Sequence, residues 1–163
     1  MAKYGSWIRE IKNGLYQNKI MIEAIDEAIP LECFIEVKDE SIDIDFQGTG
    51  GCVNRGINVP FCYTNAMSLY SIKCITIPSL PNNEGASRPI SVSAPEGCLL
   101  NAQPPYPTGG RHAIGHFVPG LIFGALVLKI WSADTNILKG LLGLGWTALL
   151  LIGIFFAEKN EKN

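Results

Sequence analysis

PNNEGASRPISVSAPEGCLL, residues 81–100, is the stretch on which the reading of the fold turns. Pro81, Asn82, Asn83, Glu84 and Gly85 preset a bend or tolerate positive φ, so the segment opens with a turn. Arg88 to Ala94 then alternates, with Ile90, Val92 and Ala94 on one side and Ser91 and Ser93 on the other, the period of a strand. Pro95-Glu96-Gly97 turns the chain again before the short apolar run Cys98-Leu99-Leu100. The pattern predicts turn, strand, turn, strand. Asn82, Asn83, Glu84 and Arg88 gather polar groups beside rigid strands, where binding loops are commonly carried. A solvated hairpin tip accounts for the same residues.

Upstream, Cys33, Ile35 and Val37 alternate with Glu32 and Glu36; after Lys38-Asp39-Glu40, Ile42, Ile44 and Phe46 alternate with Asp43 and Asp45. Two alternating runs about a short polar turn predict a β-hairpin with one apolar face and one solvated acidic face. Gln47-Gly48-Thr49-Gly50-Gly51 lacks the spacing and the lysine of a phosphate loop, which leaves a tight bend with close backbone approach. Thr64 predicts the N-cap of a helix over 65–75, and Tyr63, Met67, Tyr70 and Cys74 fall on one face of it, the spacing of a core stripe. Before all of these, Trp7, Ile8, Ile11 and Leu15 stand at helical spacing, with Asn13-Gly14 as a stop signal.

Downstream, residues 103–110 (QPPYPTGG) form a connector that is rigid and then flexible. Arg111-His112-Ala113-Ile114-Gly115-His116 holds both histidines of the chain at i, i+4, one helix face, as a metal would need. No glutamate accompanies them as in HExxH, and Gly115 weakens a helix, so a structural or substrate-contact role is favoured and no metal is assigned. Residues 121–130 read as a packed apolar helix. Residues 140–157 contain no charge over 18 positions, and with Ile137 and Leu138 the run is long enough to span a bilayer core. The expectation is a transmembrane helix over 137–157, with a buried core helix or an exposed, aggregation-prone end as the alternative.

The totals narrow the class. A chain of 163 residues with net charge -2 gives no argument for a nucleic-acid surface. Hydrophobic residues make up 47% and charged ones 17%, and the excess is concentrated after residue 120, which sets the tail apart. The five cysteines (Cys33, Cys52, Cys62, Cys74 and Cys98) are odd in number and lack zinc spacing. Residues 1–13 are mixed and charged, unlike a secretory signal, so reduced and mostly buried thiols in a cytoplasmic domain are expected.

Four segments carry a resemblance: IDIDFQGTG (42–50), GINVPFCYTNAMSLYSIKC (56–74), IPSLPNNEGASRPISVSAPEGCLLNAQPP (77–105) and GGRHAIGHFVPGLIFGAL (109–126). In order and spacing, roughly over residues 31–128, they resemble the hydantoinase B/oxoprolinase family, which includes the B-type chains of N-methylhydantoinases, the matching part of 5-oxoprolinase and one component of acetone carboxylase. The resemblance implies ATP-dependent hydrolysis of a small cyclic amide, 5-oxoproline or a hydantoin. It also implies a hydantoinase A-type partner that binds ATP. Positions matching the family motifs are Asp45, Asn58, Asn83, Glu84, Arg88, Arg111 and His112, carried over as candidate substrate or subunit contacts without catalytic roles. ATP and a divalent metal are expected elsewhere in a complete complex, and no cofactor is expected on this chain.

The expected fold class is α+β, a fragment of a larger mixed α/β enzyme fold with β-hairpins and two or three helices, plus the C-terminal hydrophobic helix. The family-like part is placed at 1–130 and a non-family tail at 131–163. The functional expectation is a component that is incomplete and inactive alone. A non-catalytic relic of a truncated gene and a binding module anchored in a membrane by its tail are the alternatives.

Overall fold

The structure, a computed structural model, describes residues 8–9, 11–23, 27–76, 78–79 and 83–126. All of them belong to the first of two units into which the chain divides, Met1–Leu126. In chain order its elements are β1 (Gly14–Glu23), β2 (Ala28–Lys38), β3 (Ser41–Asp45), α1 (Phe61–Thr76), α2 (Glu84–Ser87), β4 (Ile90–Ser93) and α3 (His112–Gly115). Residues 117–126 are helical as well. The class is mixed α and β, as the sequence predicts.

The strands form one sheet in the order β1-β2-β3-β4. β1 with β2 and β2 with β3 are antiparallel, whereas β4 lies parallel to β3. Register lines up Tyr16, Ile35, Ile44 and Val92 across all four strands. Strand side chains alternate, so this row and its neighbours Val37 and Ile42, Cys33, Leu31 and Ile22 make one buried face. The next row out, Leu15, Glu36, Asp43 and Ser91, faces away from that core. The expected hairpin of β2 and β3 is present, and Asp39 at its turn adopts φ +39. Asn13 holds that turn, accepting from the Asp39 amide at 2.9 Å and donating to its carboxylate at 2.8 Å.

Several expectations need correction. The amphipathic helix near the start is replaced from Gly14 by a strand, because Tyr16 and Ile22 point inward while Leu15, at 67% exposure, points out. The segment 81–100 is no hairpin: β4 pairs with β3 through a helical crossover, and Cys98-Leu99-Leu100 is a turn bridged to Gly51. Helix α1 starts at Phe61 rather than after Thr64, and the face it buries is Thr64, Ser68, Ser71 and Ile72. Tyr70 and Cys74 of the expected stripe are exposed, while Tyr63 and Met67 are half-buried. The buried hydroxyls cost little because each donates to a carbonyl: Thr64 to Leu100 at 2.6 Å, Ser68 to Thr64 at 2.8 Å and Ser71 to Met67 at 2.6 Å.

The glycine-rich bend does what close approach requires. A Cβ on Gly50 would sit 2.5 Å from Ile29 Cγ2, so only glycine fits without a shift. The expected membrane helix over 137–157 must also be corrected: no helix among the described residues is long and apolar enough to cross a membrane. The stretch itself lies outside the described residues, as do residues 127–130 of the helix expected over 121–130. Placement at a membrane is therefore not carried forward.

Candidate functional site

In a β–α–β unit the loops that follow the parallel strands meet at the carboxyl ends of those strands, where side chains can converge on a ligand. Here the loops are residues 46–60, after β3, and residues 94–111, after β4. Main-chain bonds sew them together: Leu99 N donates to Gly50 O at 2.8 Å, Cys52 N to Gly97 O at 3.0 Å and Val59 N to Leu99 O at 2.8 Å. Further along, Gly110 N donates to Gly56 O at 2.6 Å.

Asn58 sits at the centre of this frame and is fully buried. Its Oδ1 accepts from Val53 N at 2.8 Å. Its Nδ2 faces three carbonyls, Val53 at 2.8 Å, Arg55 at 2.7 Å and Pro107 at 2.9 Å. One amide therefore closes the 53–58 turn and clamps it to the second loop. Asn101 plays a similar part, donating to Ala94 O at 2.8 Å from a nearly buried position. The motifs of the sequence did not single out Asn101, for which a polar residue straight after Leu99-Leu100 was the available signal.

Asp45 closes β3, and its carboxylate accepts from Ser93 Oγ at 3.0 Å and from Gln47 N at 3.1 Å. Arg111 and His112 are exposed at the start of α3, with Arg111 Nη1 donating to Thr108 O at 3.4 Å. Helix α3 packs on the first turn of α1 so closely that a Cβ on Gly115 would lie 2.2 Å from Tyr63 Cε1. Asp45 thus closes β3, while Asn58, Arg111 and His112 belong to the two joined loops that follow β3 and β4.

The other three candidates do not join them. Asn83 caps α2, its Oδ1 accepting from Ala86 N at 3.0 Å, and Glu84 pairs with Arg88 at 3.5 Å one helical turn on. This segment precedes β4 and meets the start of β3, where Ile42 N donates to Pro89 O at 2.9 Å. The length of β3 separates the two groups by roughly 13 Å. At the same end of the sheet lies a cavity of about 640 Å³ lined by Arg9, Ile11, Lys12, Asn13, Asp39 and Glu40. Arg9 is paired with Glu40 there, and Asn13 with Asp39.

The thiols are poor nucleophiles where they are buried. Burial pushes Cys33 up to about 12, and burial likewise raises Cys52 and Cys98 above the ordinary thiol value. His112 and His116 do share a side, with ring centroids 6.3 Å apart, yet no group of three metal-ligating side chains occurs among the described residues. The donor set of the described residues does not fit a divalent metal.

The family model for hydantoinase B/oxoprolinase matches residues 2–138. An uncharacterized protein of Methanocaldococcus jannaschii is 28% identical over 155 residues, which is 91% of this chain and 27% of that protein. The B component of a putative D-/L-hydantoinase of a Pseudomonas species is 31% identical over 99 residues, covering 56% of this chain and 17% of that protein. Among solved structures, the ATP-dependent caprolactamase of Pseudomonas jessenii superposes with a TM-score of 0.61 at 20% identity, over 72% of this chain and 22% of that one. At that identity the likeness shows the fold alone. The chain spans between 17% and 27% of the length of these three relatives.

Proposed function

The chain belongs to the hydantoinase B/oxoprolinase family, and on that premise we propose that it serves as the B-type component of an ATP-dependent hydrolase that opens a small cyclic amide. 5-Oxoproline and hydantoins are the substrates it would take, with a hydantoinase A-type partner supplying ATP. The observation that carries this reading is the family match over residues 2–138, which spans both loops that meet at the carboxyl ends of β3 and β4.

The chemistry explains the need for two components. An unstrained amide is a poor electrophile, and phosphorylation of its oxygen by ATP makes the ring carbon attackable. Water adds there, the C–N bond breaks and the nitrogen takes a proton, leaving an acyl phosphate. A second water releases phosphate and leaves the carboxylate. In this reading Asp45, Arg111 and His112 contact the substrate and Asn58 holds their loops in place. Asn83, Glu84 and Arg88, exposed ahead of the start of β4, contact the A-type partner. Residues 1–130 carry the role, and 131–163 stand apart from it.

The test is reconstitution. The full chain and an A-type partner from the same source are mixed with ATP and either 5-oxoproline or hydantoin, and ADP and the ring-opened acid are quantified. The expected result is no ATP turnover by the chain alone and amide-dependent ADP release by the mixture. ATP hydrolysis by the pure chain, or a mixture no more active than the A-type partner alone, would overturn the proposal.

A further inference from the structure

The fold brings positively charged side chains of two separate loops to one junction. Residues 46–76 and 97–126 contain no aspartate or glutamate, yet they hold Arg55, Lys73, Arg111 and both histidines, His112 and His116. Glu36 and Asp43 lie on the outward rows of the sheet and Glu40 at its hairpin turn, whereas Asp45 directly precedes the first loop, Glu32 lies against that loop at Gly48, and Glu96 is exposed in the second. Sequence distance would keep Arg55 and Arg111 apart, since they are on different loops. The backbone bond from Gly110 to Gly56 and the Asn58 clamp from Arg55 O to Pro107 O bring those loops into contact. Close approach is built in: a Cβ on Gly110 would meet Gly56 O at 3.2 Å. Arg55, Arg111, His112 and His116 are all exposed on this junction.

Guanidinium and imidazole groups brought onto one surface can hold anionic oxygens through charge-assisted hydrogen bonds. We propose that the junction of the two loops, with Arg55, Arg111, His112 and His116 as its donors, is an oxyanion-binding site. Its ligand is the negatively charged oxygen group of the substrate, either the phosphoryl group of the activated amide or a carboxylate on the ring. The choice of these two sources rests on the function proposed above; the site itself rests on charge and loop geometry.

The full chain is titrated with inorganic phosphate and, separately, with 5-oxoproline, while the two imidazole signals are followed by NMR and affinity is measured by calorimetry. The expected result is a saturable shift of both imidazoles. Affinity should weaken about tenfold in Arg111→Gln and in Arg55→Gln, as loss of a charge-assisted contact implies. Lys19→Gln, on the outer face of β1, should bind as the unaltered chain does. Shifts with phosphate identify the phosphoryl source, and shifts with 5-oxoproline alone identify the carboxylate. Circular dichroism checks that each variant is folded, and the imidazole shifts of the unaltered chain need no variant. If neither anion moves the imidazoles, or both arginine variants bind unchanged, the site is refuted. Reconstituted ring opening that persists after such a result removes this site and leaves the proposed function standing.

Discussion

Replacing Asn58 by alanine is the sharpest test of how the site is held. The side chain is fully buried, and its Oδ1 accepts one bond while its Nδ2 lies within hydrogen-bond distance of three carbonyls. A primary amide has two hydrogens, so the three carbonyls share two donors and the side chain supplies about three full bonds. Each intramolecular bond is worth roughly 1 kcal/mol net, and groups left unpaired in a buried place cost more. The expected loss is therefore about 3–5 kcal/mol, a large share of the roughly 5–15 kcal/mol that holds a typical domain together. Urea denaturation of the full chain followed by circular dichroism measures it. With a slope of about 2 kcal/mol per molar urea, the midpoint should fall by about 2 M. Asn58→Asp should also destabilise, since it keeps the acceptor and loses both donor hydrogens. A midpoint shift below about 0.5 M in Asn58→Ala would show that the loops are held without the amide, and the reasoning fails.

Gly115→Ala should cost about 1–3 kcal/mol by driving α3 off Tyr63, read as a lower thermal midpoint; an unchanged midpoint would mean that this contact yields freely. Thr64→Val keeps the shape but leaves Leu100 O without its 2.6 Å donor, so a loss of about 1–2 kcal/mol in urea is expected. A neutral or stabilising result there would show that α1 buries hydroxyls by accident of packing. Burial raises Cys33 from 9.0 to about 12, so the folded chain keeps a proton that the unfolded chain releases. Stability from this group is complete below pH 9 and is lost as pH climbs from 9 towards 12. Urea midpoints compared at about pH 8 and about pH 10.5 should fall less in Cys33→Ala than in the unaltered chain, and parallel falls would refute the assignment.

Strands β2 and β3 were legible because every second residue, from Cys33 to Val37 and from Ile42 to Phe46, is apolar and buried. β1 hid the same period. Its outward positions include apolar Leu15 and Met21, and its inward positions include Asn18, which finds a partner in Leu121 O at 3.0 Å. Helix α1 misled for a related reason: hydroxyls satisfied within the helix or by Leu100 let a polar face turn inward. The parallel pairing of β4 with β3 leaves no mark on local sequence, because it is decided by how the α1 crossover packs. The candidate residues could be named from motif similarity, but their division into two groups follows from that pairing. Nor does any local pattern say that Asn58 supports loops from within.

The Gly56–Gly110 contact and the Asn58 clamp carry one more implication, for engineering. The frame of the junction is made from main-chain groups and a single interior amide. The side chains at 55, 111, 112 and 116 are exposed to solvent, with Arg111 also donating to Thr108 O at 3.4 Å. Chassis and trim are thus separable. A library that randomises those four positions and leaves Gly56, Asn58 and Gly110 untouched should retain its fold in most members, which makes the junction a place to retune ligand preference without first restoring stability.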